Sequence, residues 1–138
     1  MFALSLDTNA RGSLVLGDFS EQFDSDLSYW SVADYRRHWR EALQRALDDQ
    51  ISALITSVSD PTSANFIFWW PLYPGGDVVR VQNHVLFLSE HPDFALARWY
   101  DVVPPRAEVN EDGDRVSEWS VSKESVKACL EALVELDS

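Results

Sequence analysis

His38, His84 and His91 are the histidines of this chain, and Cys129 is its single cysteine. A metal site built on one helix needs two ligands about a turn apart, so that both reach one face. No pair of these histidines has that spacing. One cysteine excludes an intrachain disulfide and a cysteine-based zinc cluster. Asn110, Asp112 and Asp114 alternate like the first ligands of a calcium loop. The glycine, Gly113, falls too early for that loop, and the position that needs a bidentate glutamate is Val121. The stretch therefore reads as a turn, and no metal or cofactor is expected. There is no G-x-S-x-G, no phosphate-binding loop and no dinucleotide fingerprint. One acid–base arrangement stays open: His84, mid-strand, with a carboxylate such as Glu118 as partner, in a small hydrolase.

Charge is the stronger signal. The 138 residues carry 23 acidic side chains against 11 basic ones, a net of -12. Such a chain repels phosphate backbones and anionic lipid, so neither nucleic acid nor membrane is expected as a partner. A basic protein is the better fit. The acidic clusters are Asp18-Glu21-Asp24-Asp26 and Glu108-Glu111-Asp112-Asp114. Either is equally explained as a solvated loop. The N-terminal stretch has no basic start followed by a long apolar run and a cleavage site, and no segment reaches the length of a membrane span. The expectation is a cytoplasmic protein of one domain, residues 1–138.

The elements that would position these groups follow from periodicity. "FALSL" and "SLVLGDF" read as short strands, and "SEQFDSDLSYW" as an acidic loop. Ser31 and Asp34 form a capping-box pair at the start of a helix. Tyr35, Trp39, Ala42, Leu43 and Ala46 recur on one face of it, and Arg36, Arg37, Arg40, Glu41, Gln44 and Arg45 lie on the other. "ISALITSVS" is a strand or the end of that helix, and "FALARWYDVV" is open between helix and strand. "NFIFWWPLY" and "VVRVQNHVLFLS" are strands flanking a Pro-Gly-Gly-Asp turn. "RVSEWSV" is a further strand, and Ser122 caps a last helix with Val126, Cys129, Leu130, Leu133 and Val134 on its apolar face. Cys129 is thus expected to be a buried, unreactive thiol. The order gives an α+β fold, an antiparallel sheet with a single layer of helices packed on it.

The adjacent tryptophans Trp69 and Trp70 must point to opposite faces of their strand. With Gly75-Gly76 at the centre of the turn, residue 70 faces 81, 68 faces 83 and 66 faces 85. One face then carries Phe66, Phe68, Trp70 and Leu72 beside Val79, Val81, Asn83 and Val85, the expected helix-covered core. The other carries Ile67, Trp69 and Tyr73 beside Val78, Arg80, Gln82 and His84. Aromatic rings among polar groups are typical of a protein-binding surface, and also of a scaffold layer covered by a loop or the N-terminal segment. The candidate partner-binding residues are therefore Trp69, Tyr73, Arg80, Gln82 and His84, with Glu108, Glu111, Asp112 and Asp114.

Four blocks together resemble a known family: Ser28-Tyr29-Trp30 with Asp34-Tyr35 and Trp39; Asn65-Phe66-Ile67-Phe68; Val81-Gln82-Asn83; and Ser117-Glu118-Trp119. This pattern, spread over about residues 27 to 135, resembles the CdiI-like immunity proteins of contact-dependent growth inhibition (CDI) systems. The resemblance implies a non-enzymatic antitoxin that binds the C-terminal domain of the delivery protein CdiA one to one. It implies that the toxin is a nuclease, often a ribonuclease, and that its active site is blocked. It implies no particular interface, and it does not reach the first 26 residues. Two other readings compete with it: the His84 hydrolase, and an adaptor that oligomerises through the mixed sheet face.

Overall fold

The computed structural model describes residues 1–60 and 62–136. Three strands, β1 (Phe2–Leu6), β2 (Arg11–Leu16) and β3 (Phe19–Asp24), precede helix α1 (Val32–Leu47). Then come β4 (Ser52–Ser57), β5 (Phe66–Gly75), β6 (Val78–Gln82) and β7 (His84–Phe87), two 3-10 segments (Leu88–Glu90 and Leu96–Val102), β8 (Glu118–Ser122) and α2 (Lys123–Leu136). All pairings are antiparallel, in a three-stranded meander β1-β2-β3 and a five-stranded sheet β4-β5-β6-β8 with β7 also paired to β5. The fold is α+β, as the element order requires.

Helix α1 starts where its cap predicts. The Ser31 hydroxyl accepts from the Asp34 amide at 3.1 Å, and the Asp34 carboxylate accepts from the Ser31 amide at 2.9 Å. Tyr35, Trp39, Ala42, Leu43 and Ala46 are all fully buried. The helix also closes the free edge of β4. The Ile55 amide donates to His38 Nε2 and the Ile55 carbonyl accepts from Trp39 Nε1, both at 2.8 Å. The Val58 amide donates to Tyr35 Oη at 3.0 Å, and Ser52 Oγ donates to the Ala42 carbonyl at 2.8 Å. Side chains of α1 thus take the Ile55 and Val58 backbone groups that an edge would otherwise offer to another chain, and Ser52 ties the strand to the helix. At α2, the Ser125 amide donates to Ser122 Oγ at 3.1 Å, so Ser122 does sit at the helix start. Val126, Cys129 and Leu133 face inward; Val134, expected with them, is exposed.

Three expectations are corrected. The hairpin turn is Gly76-Asp77, with Gly75 paired to Val78 and Leu72 to Val81. Gly76 takes φ 61°, the left-handed value such a two-residue loop needs at its first position. The slip is two residues along β5, so each side chain keeps its face. Second, residues 20–24 are not a loop but most of β3. Phe19, Glu21 and Phe23 alternate inward there, and a Cβ on Gly12 would come within 2.2 Å of the Phe23 ring, so only glycine fits opposite it.

Third, the face taken for continuous core is core along only half its length. Trp70, Leu72, Val79 and Val81 are buried, whereas Phe66, Phe68, Asn83 and Val85 are exposed. The cover is the meander as well as a helix. Phe19 packs on Trp119 with ring centroids 4.4 Å apart and on Trp70 at 6.4 Å. Phe23 meets Trp39 edge-on at 6.2 Å.

Candidate functional site

The mixed face of β5 and β6 is covered by the segment that follows the second 3-10 turn. Trp69 is 1% exposed, and Tyr73 and Gln82 are also buried. Tyr73 Oη donates to the Pro104 carbonyl at 2.9 Å, and Gln82 Nε2 donates to the Ala107 carbonyl at 3.0 Å. Burial pushes the Tyr73 phenol up to about 12, with the charge of Glu118 adding to it. Of the candidate residues, Trp69, Tyr73 and Gln82 therefore lie inside the molecule. Trp69 is packed inside, and Pro104 and Ala107 close over the neighbouring Tyr73 and Gln82 on a face that the strand pattern alone leaves open.

Arg80 stands beside Glu118, and His84 and Glu108 are linked to it through Gln82 and Arg106. Arg106 reaches it with both arms of its guanidinium, Nε to Oε2 at 2.8 Å and Nη2 to Oε1 at 2.7 Å. Gln82 Nε2 donates to Glu118 Oε2 at 2.7 Å, and Arg80 Nε stands 3.9 Å from Oε1. Arg106 also lies 3.6 Å from Glu108. Hydrogen bonds from Arg106 hold the Glu118 carboxyl below its ordinary range against the opposing effect of burial, so it is ionised at neutral pH. The same pair raises Arg106 further. Arg106, Glu108, Arg115, Val116 and Glu118 line a cavity of about 250 Å³.

His84 Nε2 lies 2.8 Å from Gln82 Oε1. An amide oxygen only accepts, so Nε2 carries the proton and Nδ1 is the free acceptor. Burial lowers the His84 pKa. Gln82 thus stands between His84 and Glu118, and Glu118 is already saturated with donors. The pair does not form the acid–base couple that a hydrolase would need.

This network fastens the 103–107 segment to β6 and β8, and the chain leaves it as an acidic hairpin. Asn110 Oδ1 accepts from the amides of Asp112 at 2.9 Å and Asp114 at 3.0 Å. Val109 bridges to Arg115, and Gly113 takes φ 85°. Glu108, Glu111, Asp112 and Asp114 are exposed around it. The stretch is the turn its composition suggested, with side-chain oxygen spent on its own backbone. Among the described residues, no three His, Cys, Asp or Glu side chains converge as metal ligands. Cys129 is buried, and burial pushes its thiol up to about 12, an inert state. The other acidic cluster is dispersed: Asp18, Glu21 and Asp24 belong to the meander, while Asp26 accepts from the Ser28 amide at 2.7 Å. Sequence reasoning missed Arg106, the residue that organises the site. It lies in an aperiodic stretch after Pro104-Pro105, and no spacing marks it.

Comparison with known proteins places the chain in a family. The family model described as the CdiI N-terminal domain matches residues 25–129. The "Immunity protein CdiI" of Enterobacter cloacae subsp. cloacae is 36% identical over 115 residues, which are 83% of this chain and 79% of that protein. A chain of the solved CdiA-CT/CdiI toxin and immunity complex from Enterobacter cloacae superposes with a TM-score of 0.89 at 31% identity, covering 98% of this chain and 99% of that one. The structural match therefore takes in the meander, which the family model leaves out.

Proposed function

This chain belongs to the CdiI immunity-protein family, and from that premise we propose that it neutralises the C-terminal toxin domain of its cognate CdiA protein by binding it one to one in the cytoplasm. It acts by occupation and has no chemistry of its own. The toxin is a nuclease, with a ribonuclease as the first candidate, and the bound chain covers its active site.

The observation that carries this reading is the exposed acidic hairpin of Glu108, Glu111, Asp112 and Asp114, held out by the Glu118–Arg106 network. A nuclease grips a phosphate backbone with cations. An exposed row of carboxylates offers those cations the same charge and steers the encounter. Arg80 and the half-buried His84 border this surface and supply directional contacts, while Trp69, Tyr73 and Gln82 support it from beneath.

The test is an RNA-cleavage assay with the toxin domain encoded beside this chain. One equivalent of the immunity protein abolishes cleavage, and Asp112→Lys with Asp114→Lys raises the amount required. A toxin that remains fully active within a stoichiometric complex contradicts active-site occlusion.

A further inference from the structure

The far end of the β5–β7 pair carries four large apolar side chains in open solvent. Phe66 stands opposite Phe87 and Phe68 opposite Val85 in the strand register. Their exposures are 42%, 51%, 45% and 41% in that order. The rings of Phe66 and Phe68 meet edge-on, 5.1 Å apart. The other exposed large apolar side chains sit on loops, the N-terminus and the end of α2, not together on one sheet face. A contiguous apolar patch on a charged, soluble chain marks a surface that another molecule covers. Beneath the patch Ile67, Trp69 and Leu86 are buried, so it rests on packed scaffold. Among the described residues β7 pairs with β5 alone, which leaves its outer edge open beside the patch.

The surroundings identify the occupant. The Leu88 amide donates to the Asn65 carbonyl at 3.0 Å and draws the two flanking loops together. Those loops present Asp60, Glu90 and Asp93, all exposed. No lysine or arginine occurs in residues 46–79 or 81–97. The patch therefore has an anionic rim. In a symmetric dimer the same patch would face itself and set rim against rim. A basic partner meets the rim with opposite charge.

Resting on the function proposed above, we infer that the toxin domain docks on the Phe66, Phe68, Val85 and Phe87 patch, which supplies the apolar anchor, with the acidic rim orienting a basic toxin surface. Side chains alternate along β7, so His84 faces the Glu118 network on one side of the sheet while Val85 and Phe87 face the patch on the other, and a partner reaches both only around the open β7 edge. The network side provides charge and the patch provides the desolvated aromatic contacts that dominate binding energy.

The experiment is titration of the purified toxin domain with wild-type chain, with Phe68→Ser/Phe87→Ser and with Glu90→Lys/Asp93→Lys, alongside thermal melts. The serine variant loses about 100-fold or more in affinity while still melting cooperatively and retaining its salt dependence. The rim variant, which leaves the packing untouched, associates about tenfold more slowly at low salt. A serine variant that binds within roughly threefold of wild type overturns the docking site while leaving the immunity function standing. Wild-type chain that does not bind the toxin removes both. Sedimentation showing a wild-type dimer that the serine variant abolishes assigns the patch to a second copy, and likewise overturns the inference.

Discussion

β5 holds two aromatic pairs with opposite fates. Trp69 and Trp70 are 1% and 2% exposed, whereas Phe66 and Phe68 of the same strand are 42% and 45% exposed. All four are large and apolar, so residue type does not account for the difference. Cover does. Phe19 of the meander reaches Trp70, and Pro104 and Ala107 close over Tyr73 and Gln82 on the Trp69 face, whereas Phe66 and Phe68 at the Asn65–Leu88 end stay exposed. The edges show the same contrast: β4 is sealed by Tyr35, His38 and Trp39 from α1, and β7 is open. Buried packing is concentrated at the sealed end, and exposed apolar surface at the open end.

The largest effect should come from emptying the sealed end. Trp70→Ala is expected to cost about 3–5 kcal/mol in urea unfolding, through lost burial and the cavity left behind. A loss below about 1 kcal/mol would mean that the meander does not cover this ring, and the contrast would fail.

The next effect is a pH dependence from the sealed β4 edge. His38 is fully buried, and burial pushes it down to about 3 from its ordinary 6.5. The unfolded chain then binds a proton below pH 6.5 that the folded chain refuses. Stability from this site is fully present above pH 6.5 and is lost progressively as pH falls towards about 3. Between pH 6.5 and 5 the loss is about 2 kcal/mol. In His38→Gln the amide oxygen accepts from Ile55 without titrating, so that slope should flatten relative to wild type. Parallel pH profiles for the two proteins would show that His38 is not held neutral by the fold.

The smallest stability effect belongs to the open end. Phe68→Ala should cost about 1 kcal/mol or less, since nearly half of the side chain is already in water. A cost matching that of Trp70→Ala would dissolve the distinction between the two ends.

Much of this fold is legible in the sequence because it is local. The Ser31–Asp34 cap, the Tyr35-to-Ala46 stripe, the two strands around the Pro-Gly-Gly-Asp turn and the Ser122 cap all follow from spacing and turn chemistry. What is not legible depends on distant parts of the chain. Acidic composition hides the alternation of Phe19, Glu21 and Phe23 that makes β3. The limit of the core depends on how far that meander reaches, which no pattern within β5 records. The candidate site divides in the same way. The acidic hairpin is visible as a charge cluster at a turn, whereas Arg106, its organiser, lies in an aperiodic segment after two prolines. The mixed composition of the Trp69 face is real, but its cover comes from a segment with no periodic signal.

Calorimetric titration of this chain with the toxin domain encoded beside it, at low and at high salt, reads the binding itself. The expected result is a one-to-one complex in the nanomolar range at low salt that weakens as salt rises, because charge steers a contact that aromatic anchors hold. No binding at either salt would contradict it.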